Sequence, residues 1–474
     1  MCTTKCQTYV ELYSASNAVT GSNFLAVVRL PDGEKIRFIV DLGVFQEREY
    51  EELNAKLNFE PSEVDFALVT HAHVDHCGRL PLLAKEGYEG KIYMSEDTAK
   101  LMPYVLGDTC RVMKTKAKRN NQSRLFDEND VANVCHIIQG KPFGEAFMPH
   151  ENVRVTFLRN GHLQGAAMIL VRIYNVSESV NILFTGDYSK KNTFFSVGEL
   201  PKWIRELPLT IVTESTYGDE DATEIVPCFR KNVEKACKEG CSILIPAFSL
   251  GRSQEILYVL KTMQDNGTID KNIPVYLDGK LAIQYTEFYK TGYLEIDRKM
   301  LNFLPDNFHY VGKGTRDELI GSKNQKIIVT SSGMGTYGPA QLYIPAFLPR
   351  PKQLIHFTGY CAVGTFGRRL KDTQVDDMVM SGDGAGMVAV KKCVVDFTEE
   401  FSGHAKRDEL LEFLSKFNCK NSIIVNHGEP KTKAAFAKKL VEKFEDSKVA
   451  VIGASTGFRI GKYGIIRSLN VDIR

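Results

Sequence analysis

The stretch VTHAHVDHCGRL (69–80) places His71, His73, Asp75 and His76 within six positions of a 474-residue chain that has ten histidines in all. The preceding VDFALVT (64–70), with the apolar core Phe66–Val69, predicts a buried strand, with a helix predicted over CGRLPLLAKEG (77–87). Alternate residues of an extended stretch point the same way, so His71 and His73 can reach one metal ion from one side. Asp75 and His76, at the turn into the helix, can face a second ion beside it. Imidazole and carboxylate hold zinc in sites that keep an open position, and two such ions about 4 Å apart can share an activated water.

Two adjacent ions need more donors than four side chains offer. His162 in RNGHLQGAA, Asp187 at the end of NILFTGD and His427 in SIIVNHGE supply them. All three stand at predicted strand ends, where loops from one sheet rim converge. Asp41, closing KIRFIVD, has the same placement and reads as the group that takes the second ring N–H of a ligating histidine. His136, His150, His309 and His356 each stand alone beside a strand and read as structural residues.

Around this constellation the chain changes style twice. Residues 7–41 and several segments between 153 and 215 read as short strands. From about 216 to about 390 helices and strands alternate, with helices over 226–239 and 251–264 and strands at 241–247, 273–279, 326–333 and 353–360. That alternation predicts a parallel sheet covered by helices. The last eighty residues return to short strands, 422–428 and 448–454, around one helix over 431–444.

A composition of 43% hydrophobic and 25% charged residues with a formal charge of +2 is that of a globular protein, and selects no partner class. Eleven cysteines, an odd number without paired C-x-x-C clusters, read as reduced thiols of a cytoplasmic protein, or a nuclear one if the source has a nucleus. No segment approaches the roughly 18 apolar residues of a membrane span, so no membrane partner is expected. A polyanion would have to be attracted locally. The run MKTKAKRNNQSR (113–124) reads either as a track for single-stranded RNA or as a solvated helix face.

The pattern His71-x-His73-x-Asp75-His76, preceded by Asp41 and followed by His162 and Asp187, resembles the metallo-β-lactamase fold family, whose members are typically two-zinc hydrolases. TESTYG (213–218) with Glu214, EEFSGHAKRDELLEFL (399–414) with His404 and IIVNHGE (423–429) with His427 resemble motifs A, B and C of the β-CASP nucleases. CSILIPAFSLGRSQEILYVL (241–260) and VTSSGMGTYGPAQ (329–341) extend the likeness over nearly the whole chain. The resemblance implies an α/β fold: a metallo-β-lactamase αββα sandwich with an inserted β-CASP α/β domain containing a mainly parallel sheet. The expected bounds are 1–210 and 393–474 for the sandwich and 211–392 for the insert. A histidine at motif C is the pattern of the RNA-processing branch, and the overall length is similar to that of compact bacterial and archaeal ribonucleases, relatives of the pre-mRNA cleavage endonuclease.

By resemblance, His71, His73 and His162 hold one Zn2+ and Asp75, His76 and His427 the other, with Asp187 bridging. Asp75, His404 and Glu214 are the catalytic candidates. His404 is expected to protonate the leaving oxygen, and Glu214 to keep it protonated. Arg252, Ser331, Ser332, Gly333 and Ser402 are the candidate substrate contacts. Where relatives usually read Asp-Ser-Pro-Leu-Ala, this chain has Asp278-Gly279-Lys280-Leu281-Ala282, which removes any contact carried by that serine and proline. The implied activity is zinc-dependent hydrolysis of single-stranded RNA by an activated hydroxide, endonucleolytic in mode; a second copy of the chain, as a homodimer, is the one protein partner considered. The alternatives are a 5′–3′ exoribonuclease, a nuclease that also takes DNA, and a catalytically silent processing scaffold.

Overall fold

A computed structural model describes residues 7–175, 178–190, 192–222, 227–291, 301–312, 314–359, 361, 364–380, 387–418 and 420–470. Cys2, Cys6 and Cys419, and Tyr360 at the end of one expected strand, lie outside the described residues. The chain divides into two compact units. The first comprises residues 1–192, 196–223 and 404–474, and the second residues 193–195 and 224–403. These bounds differ from the expected 210/211 and 392/393 because of strand pairing. Leu209–Thr213 is sandwiched between Ser179–Phe184 and Lys420–Val425 in the first unit, whereas Val394–Phe397 pairs with Gln353–Phe357 in the second.

The first unit is built on two sheets. One has eight strands, in the order Gly464–Asn470, Thr456–Gly461, Tyr9–Ser14, Phe24–Arg29, Lys35–Val40, Phe66–Leu68, Lys91–Ser95 and Ile138–Lys141. The other has seven: Lys448–Val451, Lys420–Val425, Leu209–Thr213, Ser179–Phe184, Ala167–Tyr174, Val153–Arg159 and Ala146–His150. The C-terminal segment therefore adds two strands to each sheet.

Side-chain alternation explains the layering. Along Ala167–Tyr174, Ile169, Val171 and Ile173 pack with Val10, Leu12, Phe38, Val40 and Phe66 of the eight-stranded sheet. Met168 and Leu170, on the opposite face, pack with Leu410, Phe413 and Leu414 of helix Arg407–Ser415 and with Phe436 and Leu440 of helix Pro430–Lys443. A strand buried on both faces reads as an unbroken apolar run, which is what AMILV shows. Each fully buried Phe or Leu contributes about 1.5–3 kcal/mol, so these two layers fix the register of the strands whose ends carry the candidate ligands.

The expected helix over 77–87 is instead two short pieces, Val74–Cys77 and Pro81–Lys85. Pro81 has no N–H to continue the first turn and starts the second. The basic run 113–124 ends a helix, Glu96–Asn120, that the sequence reading did not delimit. Its charges are largely paired: Lys114 with Glu128 at 2.9 Å, Lys116 with Glu51 at 2.5 Å and Arg124 with Glu128 at 3.2 Å. That pairing favours the solvated helix face over an electrostatic track.

The second unit contains a six-stranded sheet in the order Phe308–Tyr310, Val275–Asp278, Ile327–Thr330, Ser242–Pro246, Gln353–Phe357 and Val394–Phe397. Every pairing in it is parallel, as the alternating pattern predicts. A small antiparallel pair, Met378–Met380 with Met387–Val390, stands beside it in the chain.

Candidate metal centre

Both sheets of the first unit end on ligand-type residues. Phe66–Leu68 lies parallel to Lys35–Val40 and Lys91–Ser95, and runs on into Thr70 and His71. The following turn is pinned by backbone hydrogen bonds: Ser22 N–H donates to Asp75 O at 2.9 Å, Leu42 N–H to His76 O at 2.8 Å and Val44 N–H to Val74 O at 3.0 Å. A Cβ at Gly43 would lie 1.5 Å from Asp75 O, so only glycine lets the two segments pass this closely. In the other sheet, Ser179–Phe184, Leu209–Thr213 and Lys420–Val425 are adjacent and parallel. Their carboxyl ends therefore deliver Asp187, Glu214 and His427 to one rim. Two non-glycine residues at this rim, Asp41 (φ 61°) and His427 (φ 48°), are left-handed, a conformation that costs of order 1 kcal/mol or more and persists where surrounding contacts enforce it.

The seven expected ligands converge. Asp187 Oδ2 lies 3.4 Å from His71 Nε2 and 3.6 Å from His162 Nε2. Its Oδ1 lies 3.3 Å from His76 Nε2 and 3.5 Å from His427 Nε2. His73 Nδ1 stands 3.1 Å from His162 Nε2, and His427 Nε2 is 4.0 Å from Asp75 Oδ2. Ligand atoms of His71, His73, His162 and Asp187 lie within 4.8 Å of one another, as do those of Asp75, His76 and His427. The Asp187 carboxylate thus turns one oxygen to each group.

The donor chemistry fits metal ions. His71 Nε2 and Asp187 Oδ1 are fully buried and have no hydrogen-bond partner among the described residues, an arrangement that costs about 1–3 kcal/mol per atom unless something else satisfies it. Burial and the neighbouring His76 hold His71 well below its ordinary pKa; burial and His162 do the same for His73. Burial brings His427 down to about 3. All three are therefore neutral, with lone pairs free to ligate. Burial opposes ionisation of Asp187, but the protonated rings of His76 and His404 beside it outweigh this and hold the carboxyl well below the usual range. Burial likewise opposes charge on His76, yet the carboxylates of Asp187 and Asp41 raise it well above the ordinary value. Burial raises Asp75 to about 6.

Asp41 accepts from His76 Nδ1 at 2.7 Å, from Thr70 N at 2.7 Å and from Thr70 Oγ1 at 2.8 Å, and so holds the His76 ring by the nitrogen turned away from Asp187. His404 Nδ1 donates to Glu214 Oε2 at 2.8 Å, and His404 Nε2 stands 3.9 Å from Asp187 Oδ2. Burial lowers the His404 pKa, but Glu214 and then Asp187 reverse this and raise it to about 9. Glu214 is itself fixed through its Oε1 by the Tyr188 N–H. Two further residues reach the site without a sequence signature. Thr70 and Thr216 place their hydroxyls among these groups, Thr216 Oγ1 lying 2.8 Å from Glu214 Oε2 and 3.0 Å from His427 Nδ1. The available signal was position alone: Thr70 precedes His71, and Thr216 follows Glu214 at the spacing of one strand face.

The five expected substrate contacts all belong to the second unit. Arg252 begins helix Arg252–Asp265, with Nη1 3.5 Å from Glu255 and its guanidinium 5.7 Å from the Phe401 ring centre. Ser332 donates its backbone N–H to Tyr337 O at 3.2 Å, and the Ser331 N–H goes to Asp278 O at 3.1 Å. Gly333 lies against Phe248, where a Cβ would approach ring and backbone to 3.0 Å. Ser402 N–H donates to Glu399 O at 3.1 Å. In the departure from the usual motif, Gly279 adopts φ 145° and a Cβ there would meet Ser331 Oγ at 2.3 Å, so serine would not fit unchanged.

Three family models match the chain in order: the metallo-beta-lactamase superfamily over residues 19–114, the Beta-Casp domain over 253–370 and the Zn-dependent metallo-hydrolase RNA specificity domain over 389–451. An RNase J-like protein of Methanocaldococcus jannaschii is 30% identical over 386 residues, covering 79% of this chain and 84% of that protein. The chain belongs to the β-CASP family of metallo-β-lactamase-fold proteins. Among other β-CASP proteins, transcription termination factor FttA of Pyrococcus horikoshii is 32% identical over 80% of this chain and 59% of its own length. Ribonuclease TTHA0252 of Thermus thermophilus is 28% identical over 93% of this chain and 98% of its own. The chain spans about three fifths of the length of the archaeal termination factors it matches. Family membership and the His/Asp clusters make this β-CASP chain a metal-binding protein of the metallo-hydrolase class.

Proposed function

We propose that the protein is a two-zinc ribonuclease that hydrolyses phosphodiester bonds of single-stranded RNA, acting endonucleolytically. The observation that carries this reading is the division of Asp187, whose Oδ2 faces His71 and His162 while Oδ1 faces His76 and His427. A carboxylate set between two such groups fits a pair of ions better than one. The RNA specificity domain matched at residues 389–451 and the ribonuclease named among the relatives support the substrate class.

His71, His73 and His162 would hold one zinc, Asp75, His76 and His427 the other, with Asp187 between. Zinc, when bound, supplies Lewis acidity, which activates water near neutral pH and offsets phosphate charge. The chain's own residues do the rest. His404 carries a proton on the nitrogen that faces the cluster and can give it to a departing alkoxide, whereas a second neutral imidazole could not. Glu214 holds the opposite ring nitrogen at 2.8 Å, fixing the ring and favouring its charged form. Asp41 aims His76 in the same way.

The test is purified, zinc-loaded protein with matched RNA and DNA oligonucleotides, labelled at either end. Internal RNA fragments from the first time points support the reading. Mononucleotides released stepwise from a 5′ end, or equal cleavage of DNA, would replace it with the corresponding alternative.

A further inference from the structure

Ligating imidazoles usually hand their second ring N–H to a carboxylate or carbonyl. His76 does so directly to Asp41. His71 and His427 make the same connection through a hydroxyl. Thr70 Oγ1 lies 2.8 Å from Asp41 Oδ2, 3.0 Å from Asp41 Oδ1 and 3.0 Å from His71 Nδ1. Thr216 Oγ1 lies 2.8 Å from Glu214 Oε2 and 3.0 Å from His427 Nδ1.

Each hydroxyl has one proton to give. A carboxylate oxygen can only accept, so at 2.8 Å that proton belongs to the carboxylate. The hydroxyl oxygen can then only accept from the imidazole, which puts hydrogen on Nδ1 of both rings. The reverse arrangement would press two lone pairs together at the carboxylate. It would also put hydrogen on His71 Nε2, the ring atom grouped with the ligand atoms of His73, His162 and Asp187, where an ion needs a lone pair.

We propose that Thr70 and Thr216 are positioning residues of the metal centre. Each locks one imidazole in its Nδ1–H tautomer and leaves the Nε2 lone pair directed at an ion. Thr70 serves the group containing His71, and Thr216 the group containing His427. Glu214 therefore orients two rings, His404 directly and His427 through Thr216. The inference rests on the two-zinc reading and adds to it a separate control for each site.

The experiment is zinc titration of the full chain against a chromophoric chelator, on wild type, Thr70→Val, Thr216→Val and the two serine variants. Valine matches threonine in shape but cannot accept the ring proton. Loss of an orienting partner typically weakens metal affinity about 10- to 100-fold. Each valine variant should show that loss for one zinc only, with serine restoring the affinity. Thr216→Val should change nothing further in a His427→Ala background. Valine variants that bind both ions as wild type does would overturn the proposal and leave the two-zinc reading standing. A wild-type chain that takes up fewer than two equivalents would overturn the reading beneath it. Should a valine variant not fold, long-range proton–nitrogen spectra of histidine-labelled wild type decide the matter. Hydrogen on Nδ1 of His71 and His427 supports the proposal, and hydrogen on Nε2 refutes it.

Discussion

His404 Nδ1 and Glu214 Oε2 are joined by a 2.8 Å hydrogen bond that ties the start of the C-terminal segment to the end of strand Leu209–Thr213. The two residues are far apart in sequence, yet the carboxylate is what keeps this ring charged near neutral pH.

The pair should therefore be separable from metal binding. His404→Ala is expected to retain both zinc ions and lose about 10²- to 10⁴-fold in turnover, the usual contribution of a positioned proton donor. Glu214→Gln should lower turnover as well, and shift the alkaline limb of the rate profile to lower pH, because the ring loses the group that favours its proton. Steady-state rates across pH with parallel zinc analysis check both. Full activity in His404→Ala would remove this residue from the mechanism.

Ligand removal should give graded metal loss. Asp187→Ala deletes the carboxylate shared by both groups and is expected to leave less than one zinc per chain after dialysis. His427→Ala touches one group only and should leave about one. Elemental analysis of the dialysed variants distinguishes them.

Zinc uptake should release protons and weaken as pH falls. In the metal-free chain the Asp187 and Asp41 carboxylates keep His76 protonated against the pull of burial, and a ligating nitrogen must shed that proton. Calorimetric titrations at one pH in buffers of different ionisation enthalpy read the release directly. Equal heats in all buffers would contradict it.

Stability should also depend on one buried lysine. Burial lowers Lys433 to about 8, and its Nζ donates to Asn17 O at 3.3 Å and Ile452 O at 3.4 Å. An unfolded lysine titrates near 10.4, at about its model value. Between pH 8 and about 10.4 the unfolded chain holds the extra proton, so this group makes the fold more stable as pH rises through that window. Below pH 8 both states are protonated and the contribution is constant. Urea midpoints of wild type and Lys433→Met at several pH values should show this rise for wild type and its absence in the variant.

Much of the site could be read from the chain because its first four ligands are consecutive in register and the rest sit at recognisable strand ends. The parallel sheet of the second unit was legible for a similar reason, since helix and strand alternate from about 216 to about 390 and four of the sheet's six strands show as apolar runs there, Phe308–Tyr310 and Val394–Phe397 being too short to stand out. His427 was a different case. No spacing rule links it to Asp187, because the whole second unit intervenes, and only the parallel pairing of Lys420–Val425 with Leu209–Thr213 returns it to the rim. Thr70 and Thr216 were invisible because threonine in or beside a strand is ordinary. The extent of helix Glu96–Asn120 was hidden by Pro103 within it, a residue that normally ends a helix. The break between Val74–Cys77 and Pro81–Lys85 shows the opposite use of proline, Pro81 starting a new turn inside a stretch whose apolar pattern is that of one helix.

The most direct test is a crystal of zinc-loaded protein measured on either side of the zinc absorption edge. Two anomalous peaks about 3.5–4 Å apart, one against His71, His73 and His162 and the other against Asp75, His76 and His427 with Asp187 between them, are the predicted result. A single peak enclosed on all sides by protein, or peaks away from Asp187, would contradict the account.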